Sequence, residues 1–471
     1  MYRAFYHPIG DKFFVRYGHC YGIMIQSNHK TEQMFAFIRR CKVLDRIVLH
    51  SDANSYYASV ECLYTPSLRG KPMAVCGSVD DRHGIVLAKS EMAKKNGVKT
   101  GMAIWQAKQV CPKLEVVPPD YELYMYFSRK LRHIYEDYTN QVEPFGLDEC
   151  WLDISQRGWD IWEGERIAQE IRQRVKSELG ITASIGVSFN KVFAKLGSDY
   201  KKPDTVTLIS EDNYRQLIWL LPVSELIYVG PRTTAKLIKL NITTIGQLAN
   251  ADLSILEQKF GKNGVMLKAF AMGLDRSLVR PVDEEEMVKS VGNSTTPPHD
   301  ICSVHEGKAI VYLLVESVAE RLRTLGFKAK LVSVFARGTD LFTRGCQMTL
   351  QAATDGTAQI AEAAIGLFME RFARELPFRS MGVSCGRLVP ADAPVQLDLF
   401  GDAEKRIRAE KLDRALDSLR YRYGHTVIRR GIVLEDREYA RVNPASQTIH
   451  PAAFLREDGV RYDKPGSAQS G

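Results

Sequence analysis

The sequence predicts an α+β fold spread over several domains. Three observations predict it. Strand-like apolar runs alternate with helix-period stretches from Arg46 to about residue 210. A purely helical pattern follows over roughly 211–280. A second mixture, three strands and two long helices, fills the chain from there to Pro390. With 471 residues the chain has room for two to four domains.

The elements follow in order. RIVLH (46–50) is a short apolar run with strand character, and NSYYASVECLY (54–64) reads as the helix after it. PMAVCG (72–77) and GIVLAK (84–89) read as strands, and SEMAKKNG (90–97) as a helix closed by its Gly. WEGERIAQEIRQRVKSEL (162–179) carries apolar residues at helical spacing and stops before Gly180, ahead of a strand at ITASIGVS (181–188). YVGPRTTAKLIKLNITTIGQLA (228–249) reads as two short amphipathic helices flanking a turn. VDEEEMVKSVGNS (282–294) is polar and charged, a linker pattern. Beyond it, KLVSVFARG, GCQMTLQAAT and SMGVSCGRLVP read as strands, and the stretches from Gly307 and Thr357 as helices. A charged helix is predicted from Ala403 to Gly424, and the last thirty or so residues lack a folded pattern. Residues 1–45 show no clear period. A true start at Met34 or later is expected, and the intact mass of the native protein decides it.

Composition narrows the function. A hydrophobic fraction of 45% and a charged fraction of 25% are ordinary for a soluble globular protein. The net charge of +8 suits an anionic partner such as nucleic acid. The nine cysteines have no metal-like spacing, so reduced, mostly buried thiols are expected. No apolar run spans a bilayer and no signal-peptide pattern opens the chain, which predicts a cytoplasmic protein and no membrane partner. The absence of G-x-x-x-x-G-K-[ST] excludes a P-loop ATPase.

The chemistry centres on VEPFGLDECWLDIS (142–155), where Asp148 and Glu149 stand side by side among apolar residues. Buried charge is costly unless paired. Taken alone, the dipeptide fits a solvated hairpin turn more readily than a cation site. Asp52, however, ends the RIVLH strand, and a carboxylate at one strand end can meet a pair at a neighbouring strand's turn. Three carboxylates around one point repel unless cations neutralise them. Hard oxygen ligands favour Mg²⁺, and two such ions clamp an in-line displacement at phosphorus. Asp153, between Leu152 and Ile154, suits a structural role, and Glu61 a helix face.

LHSDANSYYASVE (49–61), GLDECWLDIS (146–155), SIGVSFNKVFAKLGSDYKKP (184–203) and VGPRTTAKLIKLNITTIGQLA (229–249) occur in the order and spacing of the Y-family DNA polymerases, the translesion enzymes. The chain resembles that family over about residues 46–435. DYELYMYFSRKL (120–131) and QLDLF (396–400) point to its bacterial UmuC-like branch. The resemblance implies a right-hand polymerase: palm at 46–55 and 118–210, fingers at 56–117, and a helical thumb with a helix-hairpin-helix at 211–281. A linker at 282–292, a little finger at 293–392 and a tail at 393–471 complete it. It implies template-directed, low-fidelity addition of deoxynucleoside triphosphates to a primer on damaged DNA, with two Mg²⁺ ions. A non-catalytic accessory that binds DNA and the clamp is the alternative, and a nucleotidyl cyclase a third reading with no use for thumb, little finger or clamp peptide.

Residue by residue, the resemblance makes Asp52, Asp148 and Glu149 the metal ligands, with the Ala53 carbonyl beside them. Tyr57 matches the steric gate that collides with a ribose 2′-OH. Lys94 and Lys202 match the basic residues on the triphosphate, Lys201 being able to share that role. Tyr56 is set beside them as nucleotide-binding, and is also the better candidate for packing on the core. Asn54 stands where an Asp is frequent, and Glu91 where other branches place a phosphate-contacting Tyr. Gly230, Arg232 and Thr233 open the helix-hairpin-helix that would hold DNA phosphates. Gln396, Leu397, Leu399 and Phe400 resemble the peptide that docks on the β sliding clamp. The branch also allows an accessory subunit.

Overall fold

The computed structural model describes residues 46–77, 84–156, 158–284, 287–393 and 403–436, with 439 and 442. Within the first 45 residues it describes three short strands, Pro8–Ile9, Lys12–Tyr17 and Cys20–Met24, paired in sequence order. The described residues fall into two compact units.

The first unit comprises residues 46–69 and 120–284. Its sheet contains β1 (Val48–Ala53), β5 (Val142–Pro144), β6 (Glu149–Asp153), β7 (Ala183–Ser188) and β8 (Val206–Ile209) in the order β8-β7-β1-β6-β5. All neighbours are antiparallel except β7 and β8. β1 is central and buried on both faces, so its polar residues His50, Ser51 and Asp52 need partners from what covers them.

Helices cover both faces. α4 (Tyr121–Glu136) and α5 (Ile161–Leu179) lie on the face of Ser51, whose hydroxyl meets the Tyr135 hydroxyl at 2.9 Å. α5 starts where Asp160 accepts the Trp162 and Glu163 N–H groups, and buries Ile167, Ile171 and Val175 at helical spacing. α6 (Lys191–Tyr200), capped by Asn190, lies on the other face. It presses on the sheet at Gly186, where an added Cβ would stand 1.9 Å from the Ala194 carbonyl oxygen. No larger residue permits that approach.

α1 (Tyr56–Tyr64) follows β1 and falls in this same unit, not with residues 70–119. The stretch 211–280 is helical, as its pattern predicts. α7 (Tyr214–Leu217), α8 (Pro231–Ile238), α9 (Ile245–Asn250), α10 (Leu253–Phe260) and α11 (Lys262–Ala271) close around Leu237, Ile245, Leu248, Leu256 and Leu267. Thr244 and Gln247 form a capping box on α9, a sequence signature of the helix start.

The second unit carries, among the described residues, 70–119 and those from 287 to 442. In its first part β2 (Met73–Cys76) pairs with β3 (Val86–Lys89) and β4 (Glu115–Val117). α2 (Glu91–Lys95) and α3 (Ile104–Val110) give Ala93 and Ala107 to their small core. In its second part, β9 (Ser290–Thr295), β10 (Phe327–Gly338), β11 (Thr343–Thr354) and β12 (Phe378–Pro390) form an antiparallel sheet ordered β9-β12-β10-β11. α12 (Val304–Thr324) and α13 (Thr357–Arg371) pack together over the same hydrophobic core.

The expected linker over 282–292 is cut short by β9. SVGNST is polar, yet it alternates, with Val291, Asn293 and Thr295 turned inward and the Asn293 amide donated to the Ser317 hydroxyl at 3.1 Å. The charged helix α14 (Ala403–Tyr423) is present, and it turns Asp413 and Asp417 toward the protein. Asp413 and Asp417 meet Arg323, and Arg420 meets Glu316 at 2.9 Å, while Leu412, Leu419 and Tyr421 are exposed. Among the described residues no helix is long and apolar enough to cross a membrane, and every described cysteine outside residues 1–45 is free.

Candidate active site

β1 and β6 run antiparallel with Asp52 opposite Glu149. The strand pairing thus sets the two side chains on one face, about 5 Å apart at Cβ. Asp148 belongs to the turn just before β6, shaped by Gly146 at φ +96°. Its carbonyl accepts the Ala53 N–H at 3.0 Å, which ties the turn to the end of β1. The four residues expected at the metal site are therefore neighbours.

α6 brings positive charge to that face. Lys202, just beyond its end, holds Asp52 Oδ2 at 2.5 Å and Asp199 at 2.7 Å. Lys195 binds Glu149 directly. The sequence reading missed Lys195, a lysine inside α6 whose letter alone marks a solvated helix face. His50, two pairs further along the ladder and opposite Trp151, is fully buried and edge-on to that ring. The Ser198 hydroxyl donates to the Lys195 carbonyl, so it accepts from His50 Nδ1 at 2.8 Å. That leaves Nε2 a bare acceptor without a hydrogen bond, 3.3 Å from Glu149 Oε2. Burial, helped by the Lys195 charge, lowers the His50 pKa to about 3, so the ring is neutral at physiological pH.

The carboxylates resist joint ionisation. Burial, then the charges of Asp52 and Glu149, push Asp148 up to about 7. Burial pushes Asp52 up to about 6, with Lys202 pulling it back and Glu149 opposing that pull. Two protonation-prone carboxylates and an orphaned imidazole nitrogen form a donor set short of positive charge, which suits hard divalent cations. Among the described residues no three Asp, Glu, His or Cys side chains stand close enough to grip one ion as they are. Asp52 and Glu149 face their lysines and must leave them to share a cation.

Asp153 is structural, as expected. It pairs with Arg46 at 3.1 Å, and Arg46 also donates to the Ser277 carbonyl. Glu61 is likewise no ligand, since it accepts the Tyr124 hydroxyl at 2.6 Å. That bond steadies Tyr124, on which the Tyr57 ring stacks at 4.2 Å and 9°. Burial, then the nearby Asp148 charge, raises the half-buried Tyr57 phenol to about 12, so it stays neutral. Tyr56 corrects the nucleotide-binding expectation for its side chain. It is buried, and its hydroxyl is donated to the Tyr124 carbonyl at 2.5 Å.

Lys94 lies exposed on α2 in the second unit, 4.0 Å from Glu91. Gly230 caps α8, and a Cβ added there would meet nothing within 4 Å. Beside it stand exposed Arg232 and half-buried Thr233. Gln396, Leu397, Leu399 and Phe400 lie outside the described residues.

Residues 51–199 match the impB/mucB/samB family and residues 288–399 match that family's C-terminal domain. The chain is 48% identical to the DNA polymerase IV of Acetivibrio thermocellus, over 85% of this chain and 100% of that one. It is 39% identical to the DNA polymerase IV of Moorella thermoacetica, over 83% and 96%. Its fold is similar to a solved Y-family DNA polymerase chimera, Dbh-Dpo4(243-245)-Dbh, with a TM-score of 0.66 and 23% identity, over 73% of this chain and 99% of that one.

Proposed function

Because the chain belongs to the impB/mucB/samB family of Y-family DNA polymerases, we propose that Asp52, Asp148 and Glu149, with the Ala53 carbonyl, hold two Mg²⁺ ions beside a primer 3′ end. The protein is a DNA-directed DNA polymerase of the translesion class, acting in DNA-damage tolerance. The observation that carries the site is the pairing of Asp52 with Glu149 across β1 and β6, with Asp148 tied to Ala53.

The bound ions would activate the primer hydroxyl and steady the leaving pyrophosphate. The chain's own residues do the rest. The Lys202 ammonium, now on Asp52, is a compact point charge for the triphosphate of the incoming nucleotide. Lys94 is proposed to supply a second such charge. Tyr57, braced by Tyr124, forms the floor under the sugar and excludes a 2′-OH. Gly230, Arg232 and Thr233 offer backbone N–H groups and charge to primer-template phosphates. Gln396, Leu397, Leu399 and Phe400 would dock on a sliding clamp through a few anchor side chains. The enzyme works in the cytoplasm with the DNA it copies.

Primer extension with Mg²⁺ on intact and abasic templates tests the reading. The double variant Asp148→Ala, Glu149→Ala should lose activity by roughly three orders of magnitude. Extension that survives in the folded double variant refutes the site. Activity of the chain alone also measures whether an accessory subunit is required.

A further inference from the structure

We infer that Asn54 is the positioning residue for Lys202, fixing from β1's end the turn that delivers the lysine to Asp52. Asn54 is buried and its polar atoms are engaged on three sides. Its backbone N–H donates to the Thr182 carbonyl at 2.8 Å, and its carbonyl accepts the Ser59 hydroxyl at 2.7 Å. Its side chain reaches further. Oδ1 accepts the Asp204 N–H at 2.8 Å and the Thr182 hydroxyl at 3.1 Å, while Nδ2 donates to the Ser184 hydroxyl at 2.9 Å.

The Asp204 contact is the informative one. α6 ends at Tyr200, so Lys202 sits on a turn with no helix to hold it. That turn is gripped at Asp204 from two directions. Asn54 takes its backbone N–H, and Arg172 and Lys176 of α5 take its carboxylate at 2.7 and 2.9 Å. Asp204 has φ +55°, a conformation a non-glycine residue holds only when its surroundings fix it. A lysine side chain has four rotatable bonds, and a loose turn would spread its ammonium over several ångströms. The pinned turn sets Lys202 Nζ at 2.5 Å from Asp52. One short segment thus carries both the carboxylate and the peg that aims its counter-charge.

The inference rests on the reading that Lys202 takes the nucleotide triphosphate. Its signature is in nucleotide affinity and in coupling to Lys202, which a purely structural asparagine would not show. The test is equilibrium titration of the next correct deoxynucleoside triphosphate, with Mg²⁺, into the full chain bound to a dideoxy-terminated primer-template. Lys202→Ala should weaken binding about tenfold, the scale of one lost charge contact. Asn54→Ala should weaken it comparably, and the double variant should be no weaker than Lys202→Ala within about twofold, because the peg has no lysine left to aim. Asn54→Asp keeps both acceptor contacts and lets Ser184 turn its hydroxyl to donate, so its affinity should stay within about threefold of the parent. Losses that multiply in the double variant overturn the inference while leaving the role of Lys202 standing. An unaffected Lys202→Ala removes that role and the inference with it. If Asn54→Ala does not fold, the Asn54→Asp arm decides, and a tenfold loss in that folded variant overturns the proposal.

Discussion

Asp52 faces Glu149 across one rung of the ladder between β1 and β6. With Asp148 beside them, the first consequence is a pH-dependent stability that divalent cations reverse. Asp148 ionises near 3.8 in its ordinary state and near 7 in the fold. A raised folded pKa contributes stability that is full below about pH 4 and lost as pH rises through about 7. Without metal, thermal unfolding should therefore shift downward between pH 5 and 8. Asp148→Asn should flatten that slope and raise the melting midpoint at pH 8 by roughly 2–4 °C. Added Mg²⁺ should stabilise the parent at pH 8 far more than the variant. Equal slopes in the two proteins would assign the pH dependence to groups other than Asp148.

Tyr57→Ala should admit ribonucleotides. The ring is braced by the Tyr124 stack and the Glu61 hydrogen bond behind it, so its position is fixed and its removal opens space. Single-nucleotide insertion should show the preference for a deoxynucleotide over its ribonucleotide falling by at least about a hundredfold, close to 3 kcal/mol of discrimination. Unchanged sugar discrimination would remove the gate from Tyr57.

Two glycines should answer oppositely to alanine. At Gly186 a Cβ meets the Ala194 carbonyl oxygen at 1.9 Å, so Gly186→Ala must lift α6 off the sheet. A cost above about 3 kcal/mol is expected, a fall of roughly 6–12 °C in melting midpoint, with polymerase activity lost as the lysines move. At Gly230 a Cβ meets nothing within 4 Å. Gly230→Ala should melt within about 2 °C of the parent but bind primer-template more weakly. Unchanged DNA affinity in Gly230→Ala would end its proposed role.

Deleting residues 396–400 should abolish stimulation by a sliding clamp and leave basal primer extension intact. Clamp stimulation that persists in the deletion places the contact elsewhere.

The carboxylates were legible because a run of apolar letters interrupted by Asp148 and Glu149 violates the pattern of a buried strand, and the order of four motifs supplied Asp52 as their partner. Lys195 was not, since a lysine on a helix ordinarily marks the solvated face, and only the close approach at Gly186 turns it inward. Asn54 drew notice as a departure from a familiar residue, but its grip on Asp204, 150 positions away, exists only in three dimensions. β9 was missed because its inward residues include Asn293 and Thr295, whose burial depends on partners across the sheet and on α12. The helices at 161–179 and 245–250 were plain from apolar spacing and capping letters, which act locally.

α14 inverts the usual sorting of a surface helix, and this redraws where the C-terminal domain stops. Similarity to the family's C-terminal domain ends at residue 399. Arg323 nonetheless sends its guanidinium to Asp413 and Asp417, and Glu316 is flanked by Arg420 and Arg430. A protein trimmed at the last sheet strand would leave Arg323 and Glu316 on α12 without these ionic partners and would expose the core surface the helix covers. The helix past residue 403 is a lid of charge that the sheet domain cannot shed.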